Sequence, residues 1–118
     1  MIKRNAPPSF KEIDDFLNHI QGKLPDGFIE FFSETNGAEI FREGSYIILW
    51  PLTDMIKLNQ DYRVEEYAFD YFIFGSDGGD TAYCFKKNTG EIYDFSFIGM
   101  SNEDAIFMCE TFTKFLMN

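Results

Sequence analysis

The stretch Tyr71-Phe72-Ile73-Phe74-Gly75-Ser76-Asp77-Gly78-Gly79-Asp80-Thr81-Ala82-Tyr83-Cys84-Phe85, continued by Glu91-Ile92-Tyr93-Asp94-Phe95, decides the fold. Three runs of aromatic and β-branched residues are separated by an Asp-Gly-Gly-Asp cluster and by Asn88-Thr89-Gly90, the spacing of consecutive antiparallel hairpins. Gly78, Gly79 and Gly90 are expected to supply positive φ at the two reversals. Large side chains occupy both faces of this meander: Phe72 and Phe74 oppose Tyr71 and Ile73, and Tyr83 and Phe85 oppose Ala82 and Cys84. A sheet wet on one side alternates apolar with polar, so this one is either covered on both faces or leaves an aromatic patch open.

Working outward, Ser9-Phe10-Lys11-Glu12 fits a capping box and starts a helix whose buried stripe is expected to be Phe10, Ile13, Phe16, Leu17 and Ile20. Leu24-Pro25 starts a second helix, with Pro25 at its first position and Asn36-Gly37 at its end, giving an N-terminal αα-hairpin. Beyond Gly37 the period changes to that of a hairpin, residues 39–41 and 46–49, closed by Trp50-Pro51 because proline cannot donate to a ladder. Residues 52–59 read as a short helix, and residues 60–70 as a loop with at most one helical turn. Ser101-Asn102-Glu103-Asp104 is read as the start of a last helix with a stripe of Ala105, Met108, Cys109, Phe112, Phe115 and Leu116. The expected fold class is α+β: a mostly antiparallel sheet with a central three-stranded meander, packed against an N-terminal αα-hairpin and a C-terminal helix. One domain is expected over residues 1–118, with residues 1–8 a flexible lead-in carrying no signal-peptide pattern.

Charge narrows the function more than any motif does. The formal net charge is −10, from 20 acidic and 10 basic residues, and residues 60–118 hold 11 acidic against 4 basic side chains. Phosphate-backbone binding needs Lys and Arg to displace counterions, so nucleic acid is a poor partner and a basic protein a good one. No run approaches the ~20 apolar residues needed to cross a bilayer.

Catalytic chemistry has little to work with. His19 is the only histidine and falls in the last turn of the first helix, where it can cap carbonyls. Cys84 and Cys109 sit in apolar patterns, read as buried reduced thiols of a cytosolic protein, with a disulfide conceivable only if their elements abut. Asp77 and Asp80 flank two glycines, but one turn offers too few of the six to eight oxygens calcium takes, so they are expected to be solvated carboxylates. No catalytic residue, cofactor or metal is expected. Trp50 and Tyr71 read as core, whereas Tyr62 and Tyr67, among Asp61, Glu65, Glu66 and Asp70, have the composition of a contact surface.

The order Leu24-Pro25, Asn36-Gly37, Leu49-Trp50-Pro51-Leu52, Phe72-Ile73-Phe74-Gly75-Ser76-Asp77-Gly78-Gly79, Gly90-Glu91-Ile92-Tyr93 and a helix ending Phe112-Thr113-Lys114-Phe115-Leu116 resembles the SUKH superfamily over residues 10–117. That superfamily includes the yeast Smi/Knr-type regulators of cell-wall glucan synthesis and many small bacterial immunity proteins. The resemblance implies an α+β fold without a catalytic centre and a cytoplasmic antidote that binds a toxin domain, often a nuclease. The alternative it carries is a regulatory or scaffold module of the cell-wall kind. Combined with the charge, it gives a basic toxin domain as the expected partner, no membrane, and a monomer or weak homodimer. The expected partner-binding residues are Asp61, Tyr62, Glu65, Glu66, Tyr67, Asp70, Asp77 and Asp80.

Overall fold

A computed structural model describes residues 1–117. The predicted meander forms β4 (Tyr71–Ser76), β5 (Thr81–Lys86) and β6 (Ile92–Ser96). On one side it continues through β3 (Ser45–Leu49) and β2 (Ala38–Arg42) to β1 (Ile2–Arg4), and on the other to β7 (Ile106–Cys109). All seven strands form one antiparallel sheet in chain order. The helices are α1 (Phe10–His19), α2 (Phe28–Glu34), α3 (Leu52–Asp61), the single turn α4 (Val64–Tyr67) and α5 (Phe112–Met117). The α+β class, the N-terminal helical hairpin and the C-terminal helix are therefore as expected, and Ser9 and Glu12 make both bonds of the capping box.

Five expectations need correction. Residues 1–8 are no loose lead-in: Ile2, Lys3 and Arg4 pair with Ile40, Glu39 and Ala38, and the ladder continues as Asn36 N–H donates to Ala6 O at 3.0 Å. The C-terminal helix begins only at Phe112, because residues 106–109 pair with β6 at the sheet edge; Ser101 instead accepts from Asp104 N–H in a local turn. The second helix starts at Phe28, since Pro25-Asp26-Gly27-Phe28 is a turn closed by Phe28 N–H to Pro25 O at 3.1 Å, with Gly27 left-handed. In α1 the stripe is narrower than expected: Phe16 is buried, Ile13 and Ile20 are half-buried, and Phe10 stands 91% exposed. At the meander's turns Gly78 and Gly90 have positive φ and Gly79 does not.

Phe28 is the hub of the core on one side of the sheet. Its ring, fully buried, lies 4.6 to 6.1 Å from the rings of Phe16, Phe32, Phe74, Phe85 and Phe112, so α1, α2, β4, β5 and α5 meet on one residue. Arg42 fastens the far end of α5 by donating from Nη2 to Leu116 O, where a cation complements the helix dipole. On the opposite face Tyr71 packs edge-on to Tyr93 at 5.2 Å, and Tyr93 to Phe107 at 5.6 Å. Every residue of β4 is buried, so the sheet is covered on both faces at its centre and opens toward β7.

The junction of β3 with β4 sets the position of the other elements. β3 pairs with β4 only at Ile48–Ser76 and Leu49–Gly75, and Trp50 N–H adds one bond to Phe74 O before the chain turns into α3. A Cβ on Gly75 would lie 2.4 Å from Ile48 O, and one on Gly37, φ +89°, would lie 2.7 Å from Leu49 O. Three of the sequence segments quoted above thus converge on one close crossing. Beyond it the edge of β4 is bare of strand, and Asn59 of α3 takes the strand's place: Ile73 N–H donates to Asn59 Oδ1 and Asn59 Nδ2 donates to Ile73 O, both at 2.8 Å. Tyr71 N–H is taken by Ala68 O at 3.0 Å, which completes the edge. Replacing Asn59 by Ala leaves two buried backbone groups unpaired, each worth roughly 1–3 kcal/mol. Urea denaturation of Asn59→Ala is expected to show a loss of about 2–5 kcal/mol, and of Gly75→Ala a loss of at least ~2 kcal/mol.

Candidate protein-contact surface

The corner formed by the end of α3 and by α4 gathers most of the residues singled out in the sequence. The turn between the two helices depends on Arg63, the one non-glycine with positive φ (58°) among the described residues. Val64 points inward and is buried, which leaves Tyr62, Glu65, Glu66 and Tyr67 on the outside. Tyr62 stacks 5.9 Å from Trp50 and lies 4.7 Å from Phe97, so a rigid ring is presented with one side to solvent. Trp50 and Tyr71 are buried, as expected of core residues.

The carboxylates here are less isolated than the sequence suggests. Asp61 pairs with Lys57 at 2.9 Å, Glu65 with Lys87 at 2.8 Å, and Glu66 lies 3.8 Å from Arg63. The Asp61 and Glu66 pairs are exposed and of small energetic weight in high dielectric, while Lys87 in the Glu65 pair is half-buried. Asp70 makes a two-bond junction with Asn102: its N–H donates to Asn102 Oδ1 and its Oδ2 accepts from Asn102 Nδ2, both at 3.2 Å. That junction carries the surface across to Glu103 and Asp104 and then into β7.

Asp77 and Asp80 have different work. Asp77 Oδ1 accepts from Gly79 N–H at 2.8 Å and Thr81 N–H at 3.2 Å; Asp80 accepts from Ile98 N–H at 3.1 Å and from the Ser96 hydroxyl. Both acids are turn carboxylates open to solvent, as expected, with Asp80 exposed and Asp77 half-buried; they also lock the β4–β5 turn, and Asp80 ties it to the end of β6. Asp80 O also accepts from Phe97 N–H at 2.8 Å, and through Phe97 the turn adjoins Tyr62. Among the described residues no group of three His, Cys, Asp or Glu side chains is placed to hold a metal ion.

Several surface features were not singled out in the sequence. Phe97 ends the alternation Tyr93-Asp94-Phe95-Ser96-Phe97, but nothing in that pattern places it on the Trp50–Tyr62 stack. Phe69 is exposed beside Asp70, and Ile106, Phe107 and Met108 are exposed along β7. A cleft of about 470 Å³ between α1, α3 and α4 is lined by His19, Gln60, Arg63, Glu65 and Lys87 among others. His19 Nδ1 lies 2.7 Å from Asp15 O, the carbonyl contact expected of it. Cys84 is distant in role: its thiol donates to Tyr93 O at 3.4 Å, and burial pushes its pKa well up, the reverse of an activated nucleophile. Cys84 and Cys109 are both free and buried, and the register separates them by β6 with Cys84 opposite Tyr93 and Cys109 opposite Ile92. Burial also carries the Tyr71 hydroxyl up to about 12.

The fold is thus a chain-order antiparallel sheet with helices on its faces and its polar groups spent on turns and edges. The chain belongs to the SMI1 / KNR4 family (SUKH-1), whose description matches residues 7–118. No curated protein matches the chain. No helix among the described residues is long and apolar enough to cross a membrane.

One acid carries a pH signature. Burial first, and the Asp77 carboxylate second, raise the pKa of Asp94, which faces Tyr83 across β5 and β6. An acid with a raised folded-state pKa keeps its proton longer when folded. Its favourable contribution is therefore present at low pH and is lost as pH rises from the unfolded-state value, about 4, through the folded one. Asp94→Asn is expected to raise Tm at pH 7, with the advantage shrinking toward pH 4; equal Tm shifts at the two pH values contradict this.

Proposed function

We propose that this chain is a non-catalytic, cytoplasmic immunity protein that binds a basic toxin domain, such as a nuclease, and occludes its active site. The observation that carries this reading is the α3–α4 corner, where Tyr62 and Tyr67 stand among Asp61, Glu65, Glu66 and Asp70, in a member of the SUKH-1 family with a net charge of −10. Aromatic anchors ringed by charge supply binding energy at the centre and selection at the rim. Asp77 and Asp80 contribute by holding the turn that supports Phe97 and hence Tyr62. The overall negative field speeds encounter with a cationic domain and opposes nucleic acid, so the antidote does not compete for the toxin's own substrate. Two free buried thiols suit a reducing compartment.

The test is co-expression with the carboxyl-terminal domain of a secreted protein encoded beside this chain's gene. Growth is expected to be rescued, and the purified pair to associate. Reversing Glu65 and Glu66 to Lys is expected to slow association about tenfold or more at low ionic strength and to flatten its salt dependence. An unchanged rate places the contact elsewhere, and absence of any toxic partner turns the reading toward a regulatory module.

A further inference from the structure

The two edges of the sheet are built differently. β1 is three residues long, and two of them are Lys3 and Arg4, the charged blunting that edge strands need to resist pairing with other chains. β7 has the sequence Ile-Phe-Met-Cys with no charge and no proline; its brevity and one register shift opposite β6 are its only protection. Ile106, Phe107 and Met108 are 65%, 48% and 39% exposed. Among the described residues no backbone hydrogen bond reaches the outer side of β7, which is bonded to β6 alone.

Carboxylates surround this apolar edge. Glu103 and Asp104 precede it and Glu110 follows it, with Lys114 paired to Glu110 at 2.5 Å. The Asp70–Asn102 junction places the α4 corner next to the segment leading into β7, and the Tyr71–Tyr93–Phe107 ladder connects the two through the sheet face. A second copy of the chain is a poor occupant. Antiparallel pairing of two β7 strands brings the carboxylates at the two ends of one strand, Asp104 and Glu110, close to those of the other; with Ile106 opposite Met108, Asp104 falls opposite Glu110, and like charges so placed are destabilising.

We propose that β7 is a docking edge for an extended, Lys/Arg-flanked apolar segment of the partner protein, which adds to the sheet as an eighth strand. Main-chain bonds supply affinity, Ile106, Phe107 and Met108 take alternate apolar side chains, and the flanking carboxylates select basic ends. This rests on the reading that the partner is a basic protein, and it adds to the α3–α4 corner a second surface, joined to it through the Asp70–Asn102 junction.

The probe is a synthetic peptide with a Val-Thr-Val-Thr-Val core and Lys-Lys at both ends, titrated into the full chain and followed by amide chemical shifts and hydrogen exchange. Shifts and slowed exchange are expected at Ile106–Cys109. The same core with Glu-Glu ends is expected to bind at least about tenfold more weakly, and a Lys-ended peptide with Pro at its centre not to bind. Ile106→Lys and, separately, Phe107→Lys are expected to abolish binding while leaving the remaining amide spectrum in place. Equal binding of the Glu-ended or Pro-containing peptide, or shifts confined to other segments, overturns the proposal. So does a dimer of the free chain in sedimentation that Ile106→Lys dissolves, since it assigns the edge to a second copy. No toxin enters this experiment, so its failure leaves the growth-rescue result standing, and a failed rescue leaves the peptide result standing.

Discussion

The architecture depends on how one strand edge is closed. β4 lies at the centre of the sheet with both faces buried, yet β3 accompanies it for only part of its length. A buried edge with unpaired N–H and C=O groups is not tolerated, because each such group forfeits its hydration for nothing. Asn59 resolves this with one side chain that imitates a backbone amide, donating and accepting at Ile73 and donating also to Met55 O at 2.8 Å. The position of α3 follows from that pairing. α4 follows from α3 through the left-handed Arg63, and with it the placing of Tyr62, Glu65, Glu66 and Tyr67 on the outer surface.

Two scales of electrostatics meet on that surface. Locally, most of the carboxylates at the α3–α4 corner have a cation within 4 Å, which offsets their charge at short range but contributes little to stability. Over the whole molecule the charge remains −10, and only this summed field reaches an approaching partner. In the proposed function, the aromatic rings then decide what happens after encounter. Tyr62, backed by Trp50 and Phe97, is held in one orientation before binding, so little rotamer freedom remains to be lost.

The meander, the hairpin of β2 and β3, α1 with its capping box and α3 were legible because local pattern and tertiary role agree there. The errors fall where they diverge. Ala105, Met108, Cys109 and Phe112 are spaced as a helical stripe, but residues 106–109 are also apolar and β-prone, and the open edge of β6 decided in favour of a strand; periodicity alone does not separate the two for so short a run. β1 could not be read, since Ile-Lys-Arg has no alternation and its pairing is wholly long-range. Pro25 resembled a helix start until Gly27 adopted a left-handed turn behind it. Of the candidate contact residues, the cluster from Asp61 to Asp70 was visible as composition, but its support by Phe97 and Asn102 arises from contacts across more than 30 residues, and the exposure of β7 from its place at the sheet edge beside β6.

The most direct test of the account is hydrogen exchange on a complex between this chain and the proposed basic toxin domain, read against the free chain. The account predicts slowed exchange in residues 61–70 and in residues 102–109, with β1 and β2 unchanged. A complex whose protection is confined to β1 and β2, or a chain that forms no complex even at low ionic strength, contradicts it.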